Sequence, residues 1–270
     1  MAKIPFWKMH GAGNDFVLVD DRSETFPAAD ESFLRAIGTR KTGVGCDGII
    51  LIQPSDSADF RMRFFNPDGR EAEMCGNGAR CVARLASEIG AAPAEMTIET
   101  PAGQLRAEMV GEQVRLGMTQ PVDWRMNATL EINGESVRYG FVNTGVPHVV
   151  VAVADLDSCP VHERGRALRQ HADFAPAGAN VNFIQITGPQ SLRVRTYERG
   201  VEAETLACGT GMVASALVAA ASGHVTPPVE VVPTGGDRLT VDFVLNGLEA
   251  ENTTLLGPAV HVFKGELESA

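Results

Sequence analysis

The chain repeats itself. Phe65-Asn66-Pro67-Asp68-Gly69-Arg70-Glu71-Ala72-Glu73-Met74-Cys75-Gly76-Asn77-Gly78 in the first half is echoed in the second by Tyr197-Glu198-Arg199-Gly200-Val201-Glu202-Ala203-Glu204-Thr205-Leu206-Ala207-Cys208-Gly209-Thr210-Gly211. Both segments run from an aromatic-ended strand through a polar turn and Glu-Ala-Glu to Cys-Gly-x-Gly, then into a helix. A fainter echo links Gly11-Ala12-Gly13-Asn14 with Gly178-Ala179-Asn180, each just before a strand. Self-similarity of this kind points to duplication. It predicts two similar domains that face each other, each giving one cysteine to a shared cleft. The break at Thr119-Gln120-Pro121 divides them into residues 1–119, carrying Cys75, and residues 120–270, carrying Cys208. The final strand could return to either half.

Strand signals dominate the rest. Short β-rich runs ended by turn residues occur at Phe16–Asp20, Ile49–Gln53, Phe60–Asn66 and Met96–Thr100, and Leu105–Met109 with Val114–Met118 forms a hairpin around Gly111. The second half adds Tyr139–Asn143, His148–Val153, Phe183–Thr187, Leu192–Glu198, Val229–Val232, Leu239–Leu245 and Val260–Phe263. Helical spacing is confined to Glu31–Arg40, Ala79–Ile89, Val161–Gln170 and Gly211–Ser222. The last of these is apolar all round and should be buried.

Of 270 residues, 44% are apolar and 21% charged, which marks a globular chain with material for one large core or two small ones. A net charge of −11 argues against a nucleic-acid surface. The N-terminal MAKIPFWKMHGAGNDF has no apolar targeting core, and the longest apolar stretch, Met212–Ala221, is too short to span a bilayer. A cytoplasmic protein without membrane contact is expected. Five cysteines, an odd number, argue against a disulfide framework. Without CxxC or HExxH, no metal site is expected.

Cysteine at the start of a helix has particular chemistry. The first helical turn leaves backbone N–H groups unpaired. These donors and the positive end of the helix dipole attract anions, and glycine lets a ligand approach the backbone closely. The same field favours thiolate. Lowering a thiol from ~8.5 to ~7 needs roughly 2 kcal/mol, whereas a helix end supplies ~0.3–1 and at best ~2 kcal/mol. A second contributor is therefore expected beside each thiol. Two such cysteines, Cys75 and Cys208, suit stereoinversion, which needs a base on one face of a carbon and an acid on the other. Fixed amides would stabilise the charge that develops on a neighbouring carboxylate. The usual pyridoxal alternative needs a Schiff-base lysine. None of Lys3, Lys8, Lys41 and Lys264 sits in a convincing cofactor motif, so no cofactor is expected.

MHGAGNDFV from Met9, FFNPDGREAEMCGNGARC from Phe64, NTGVPHVV from Asn143 and YERGVEAETLACGTG from Tyr197 resemble, in order and over nearly the whole chain, the signature segments of the diaminopimelate epimerase family. Proline racemases and phenazine-type isomerases share that fold but lack the Gly-Asn-Asp-Phe and Cys-Gly-Asn-Gly-Ala-Arg runs. The resemblance implies an α+β fold of two pseudo-symmetric, strand-rich barrels, each around a central helix. It implies interconversion of LL- and meso-diaminopimelate without pyridoxal phosphate, feeding lysine and cell-wall synthesis, by a homodimer. Cys75 and Cys208 match the two catalytic cysteines of the family, and His148 and Glu198 match residues that tune them. Asn14, Asn66, Asn77, Asn180, Glu198 and Arg199, with the amides of Gly76, Gly209 and Thr210, match substrate contacts.

Two positions depart from a common form of the pattern. Gly48 stands where some members carry a glutamine, and Val146 where some carry an asparagine. Both changes remove a hydrogen-bond partner for the distal end of the substrate, which water could replace. On their own, many of these residues have plainer roles. Cys46, Cys81 and Cys159 read as small buried hydrophobes. Asn14, Asn66 and Asn180 fit turns, Glu198 fits a strand end, and Arg199 fits a surface cation or a carboxylate clamp. His148 fits a satisfied polar residue at a strand start.

Overall fold

The computed structural model describes residues 3–268. They form two compact units. One contains the residues up to Leu116 and those from Gly257 onward, and the other is Gly117–Leu256. The first crossing lies just before the Thr119-Gln120-Pro121 segment.

In the first unit the chain forms β1 (Lys3–Gly11), β2 (Asn14–Asp20), α1 (Glu31–Gly38), β3 (Gly48–Gln53), β4 (Phe60–Phe65), β5 (Glu71–Ala72), α2 (Gly76–Glu88), β6 (Glu95–Thr100), β7 (Gly103–Val110) and β8 (Gln113–Gly117). β1 and β2 are antiparallel, and β2 runs parallel to β3 in the register Phe16↔Gly48. β3–β4 and β4–β5 are antiparallel, β4 and β6 are parallel, and β6–β7–β8 is an antiparallel meander. The Ile-Ile-Leu-Ile run in β3 is buried on both faces, as expected of a strand covered on each side. Val17, Val19, Ile49 and Leu51 pack on Leu34 and Ile37 of α1. Alternation sends Phe16 and Ile50 the other way, onto α2: a Cβ at Gly78 would lie 2.7 Å from Ile50 Cδ1. Asp30 caps α1 by accepting from the amides of Ser32 and Phe33, and the helix ends at Thr39, whose backbone is extended.

The second unit contains β9 (Val122–Ile132), β10 (Glu135–Asn143), β11 (Pro147–Ala152), α3 (Val161–Arg169), β12 (Asn180–Gly188), β13 (Ser191–Glu198), β14 (Ala203–Thr205), α4 (Gly209–Ala221), β15 (Val229–Val232), β16 (Leu239–Asn246) and β17 (Glu249–Pro258). The last strand, β18 (Val260–Glu268), pairs with β1 and belongs with the first unit.

The pairings of the two units follow one order. β10–β11 is antiparallel, β11–β12 parallel, β12–β13 and β13–β14 antiparallel, β13–β15 parallel, and β15–β16–β17 antiparallel. An outer strand precedes each series, β18 on β1 and β9 on β10. α2 packs among β1, β2, β3 and β7, and α4 among β10, β11, β12, β13, β15 and β16. Gly211–Ala219 of α4 is buried throughout. Burial of Met212, Val213, Leu217 and Val218 contributes about 1.5–3 kcal/mol each. The fold is therefore α+β, two repeated strand-rich halves each around a central helix. Among the described residues no helix is long and apolar enough to cross a membrane.

Three findings differ from the sequence reading. α2 and α4 begin at Gly76 and Gly209, not at Ala79 and Gly211, because the Gly-rich first turn is already helical. β1, β9 and β17 carry no strong alternation and were not expected. The fainter echo is also misaligned: Asn14 opens β2, whose counterpart is β11, whereas Asn180 opens β12, whose counterpart is β3. The register places His148↔Asn180 where the first unit has Phe16↔Gly48.

The Gly48 departure has a steric cause. A Cβ there would lie 2.2 Å from Phe64 Cε2 and 3.1 Å from the Phe65 carbonyl oxygen, and Phe64 is itself packed edge-on to Phe16. Gly48→Ala should lower stability in urea unfolding by about 1–3 kcal/mol, the range for overpacking. An unchanged midpoint and slope would show that this strand has room for a side chain.

Candidate active site

Each unit places its repeated cysteine immediately before its central helix. Cys75 has φ −136° and ψ 119°, and Cys208 has φ −121° and ψ 110°. Both occupy the position usually held by Ser, Thr, Asp or Asn. Each thiol thus stands beside the first-turn amides of Gly76-Asn77-Gly78 or Gly209-Thr210-Gly211. Cys75 is partly exposed and Cys208 is 7% exposed. Steric fit explains the last glycine of the second motif: a Cβ on Gly211 would lie 2.4 Å from Asn182 Oδ1 and 3.3 Å from Cys208 Sγ.

Around Cys75, a ladder of polar groups reaches in from β1, β2 and the loop before β3. Lys8 donates to Asp15 at 2.5 Å and to the Gly45 carbonyl. Arg40 joins Asp15 and Asp47 at 2.5 and 2.8 Å. Asp47 Oδ2 accepts from Asn14 Nδ2 at 2.7 Å and from the Asp15 amide at 3.2 Å. Asn14 Oδ1 then faces Cys75 Sγ at 3.5 Å and accepts from Asn77 Nδ2 at 3.3 Å. Arg80, fully buried on α2, donates to Asn77 Oδ1 at 2.9 Å. Burial raises the Asp15 carboxyl, but hydrogen bonds from Arg40 and Lys8 outweigh it and hold the pKa at about 2. Asn66 lies at the β4–β5 turn, where its backbone bonds to Gly69 and Arg70.

Around Cys208, the groups come from β11, β12 and β13. Thr210 Oγ1 lies 3.6 Å from Cys208 Sγ and 3.0 Å from His148 Nε2. His148 Nδ1 faces Asn182 Nδ2 at 3.1 Å. Asn182 also donates to the Val149 carbonyl at 3.0 Å and accepts from Thr196 Oγ1 at 2.9 Å. Asn180 Oδ1 accepts from the Arg199 amide at 2.7 Å, and the Arg199 guanidinium reaches the carbonyls of Ala177 and Gly178. Glu198 ends β13, and burial pushes its carboxyl up while the Thr205 hydroxyl acts against that. Val146 contributes only its carbonyl, which accepts from the Thr144 amide.

The other cysteines sit in different surroundings. Burial pushes Cys46 up to about 11, Cys81 up to about 12, and Cys159 upward as well. Their thiols stay neutral and serve packing. Asp47, Asn182 and the Thr210 side chain escaped the sequence reading. The strand-start position of Asp47, two residues before a β-rich run, and the Asn-x-Asn spacing of Asn180 and Asn182 were the available signals.

The diaminopimelate epimerase family model matches residues 6–124 and 140–262. The diaminopimelate epimerase of Aquifex aeolicus is 44% identical over 276 residues, covering 98% of both chains, and that of Chlorobaculum tepidum is 43% identical over 263 residues, covering 96% of this chain and 99% of the relative. The chain belongs to the diaminopimelate epimerase family. Among solved structures, a Bacillus anthracis phenazine biosynthesis protein superposes with a TM-score of 0.77 at 22% identity, covering 100% of both chains. A hydroxyproline epimerase from Agrobacterium vitis superposes with a TM-score of 0.70 at 20% identity, covering 98% of this chain and 92% of the other. At such identities the likeness is one of fold.

His148 is sealed from solvent, and burial, helped by the nearby Arg199 charge, lowers its imidazole to about 3. The unfolded chain, with a histidine near ~6.5, binds the proton first. The contribution of neutral His148 to stability is therefore complete above about 6.5 and is lost progressively as the pH falls toward 3. Side-chain NMR of His148 should show a neutral ring throughout the range from pH ~8 down to ~5. A titration midpoint near ~6.5 would contradict the burial.

Proposed function

We propose that this protein interconverts LL- and meso-diaminopimelate by proton transfer at the α-carbon, with Cys75 and Cys208 as the acid–base pair and no pyridoxal phosphate. The observation that carries this reading is the repetition itself: each half ends its β-hairpin in a cysteine at the N-terminus of a largely buried central helix. One sulfur, as thiolate, takes the α-proton. The other, as thiol, delivers its proton to the opposite face of the carbon. The reverse reaction exchanges the two roles.

The substrate carboxylate gains charge as the proton leaves. Amides of Gly76, Gly209 and Thr210, fixed at the helix ends, would stabilise that charge without rearranging. Asn14, Asn66, Asn77, Asn180, Glu198 and Arg199 are proposed as substrate contacts, and His148 and Glu198 as the groups that tune the thiols. We also propose a cytoplasmic location and a homodimer, both carried over from the family, and a place in lysine and peptidoglycan-precursor synthesis.

Incubation with LL-diaminopimelate in deuterated water should wash deuterium into the α-carbon. Cys75→Ala and Cys208→Ala should each lower turnover by at least about 10³-fold with an unchanged unfolding midpoint. Turnover retained in either variant would remove that cysteine from the acid–base pair. Exchange into proline or hydroxyproline in place of diaminopimelate would overturn the substrate assignment.

A further inference from the structure

We infer that Glu202 and Arg169 form a positioning pair, which fastens the turn carrying Arg199 and the loop leading to Asn180 to the end of α3 and so sets the affinity for substrate. This inference rests on the epimerase reading above, in which Asn180 and Arg199 contact the substrate. It adds two residues that act through them.

Glu202 occupies an unusual backbone conformation for a glutamate. Its φ is 58°, in the left-handed region that favours glycine and asparagine. A side chain kept there at a cost points to a role for that side chain. Its carboxylate gathers donors from three places. Oε1 accepts from Arg169 Nε at 3.0 Å and from the Gly200 amide at 3.1 Å, and Oε2 accepts from the Tyr197 hydroxyl at 3.3 Å. The Gly200 amide, helped by Arg169 and Tyr197, holds this carboxyl below the usual carboxylate range.

Arg169 is the last residue of α3. It also lies directly against Gly178: a Cβ there would be 2.2 Å from Arg169 Nη1 and 2.6 Å from the Arg169 carbonyl oxygen. Arg169 thus touches both segments, through Glu202 on one side and Gly178 on the other. The segments meet each other where Asn180 Oδ1 accepts from the Arg199 amide at 2.7 Å. The Arg199 guanidinium reaches the Ala177 and Gly178 carbonyls only at 3.4 and 3.5 Å. Bonds that long are weak, so its place depends on the turn that carries it.

The first unit fastens its matching turn differently. Gly69 packs on α1, where a Cβ would lie 2.7 Å from the Glu31 carbonyl oxygen. Among the described residues, a Cβ on Gly200 would meet nothing within 4 Å beyond its chain neighbours. The second turn lacks that backbone contact and is tied to α3 by Glu202. Glu198 is held separately, since it pairs with Ala203 in the β13–β14 ladder. Loosening Glu202 therefore displaces Arg199 and leaves Glu198 in register. Groups that bind substrate and transition state alike act on KM and spare kcat.

Steady-state kinetics with LL-diaminopimelate, read as deuterium washout, test the pair. Glu202→Asn suits the left-handed backbone and is one methylene short of Arg169. It should raise KM about tenfold, the worth of one charge-assisted hydrogen bond, with kcat within about twofold of the parent. Arg169→Ala should do the same, and the double variant should be no worse than either alone, because the same link is cut. Glu202→Gln keeps the length and an accepting oxygen, and its KM should stay near that of the parent. If Arg169→Ala does not fold, Glu202→Asn against Glu202→Gln decides. An unchanged KM in Glu202→Asn, a fall in kcat at constant KM, or multiplying effects in the double variant would overturn the inference. Backbone amide exchange without substrate gives a readout independent of turnover. Peptides covering 175–180 and 199–202 should exchange faster in Glu202→Asn than in the parent, and equal protection would also overturn the inference. If the parent washes no label into diaminopimelate, the epimerase reading falls, and amide exchange still decides whether the pair fastens both segments.

Discussion

A helix enclosed by strands has one chemically open feature, its end. In each unit the central helix gives its sides to packing: Gly211–Ala219 of α4 is buried without interruption, and Gly78 of α2 lies against Ile50 and Phe16. The amides of the first turn remain as the place where the helix field can act on a ligand. Polar side chains from β2 and from the first turn of α4 come within hydrogen-bonding reach of the cysteines at those two ends. The β-hairpin before each helix fixes the cysteine, and the starts of the strands that wrap the helix supply the polar groups next to it.

Duplication supplied two copies of this device, and later divergence made them different. The first unit surrounds its thiol with charges held in pairs: Lys8 with Asp15, Arg40 with Asp15 and Asp47. The second uses neutral groups, with Asn182, His148 and Thr210 linked through shared protons. Since the scaffold imposes nearly the same helix and hairpin on both, the difference in chemistry falls to a handful of side chains.

Elements with strong periodic signals were legible in the sequence. β3 reads as a buried strand because Ile49-Ile50-Leu51-Ile52 is apolar on both faces, and α4 reads as a buried helix because it is apolar all round. β1 was obscured by Pro5 and by Lys3 and Lys8, whose polarity hides the strand; Lys8 is buried only because Asp15 receives it. β9 exposes most of its residues and β17 is rich in polar ones, so neither shows alternation. The helix starts at Gly76 and Gly209 were hidden because glycine in a first turn resembles a loop. At the candidate site, the position of each cysteine before its central helix was legible because the motif repeats. Asp47 and Asn182 were not, because each matters through one long-range hydrogen bond, to Asn14 and to His148, that no local pattern records.

The proposed acid–base pair requires one carbon atom to lie between two sulfurs. A crystal structure with an unreactive diaminopimelate analogue bound would test it most directly. One sulfur is expected in van der Waals contact with each face of the α-carbon, Cys75 on one and Cys208 on the other, with the α-carboxylate on the helix-end amides. Both sulfurs on the same face, or either one out of reach of that carbon, would contradict it.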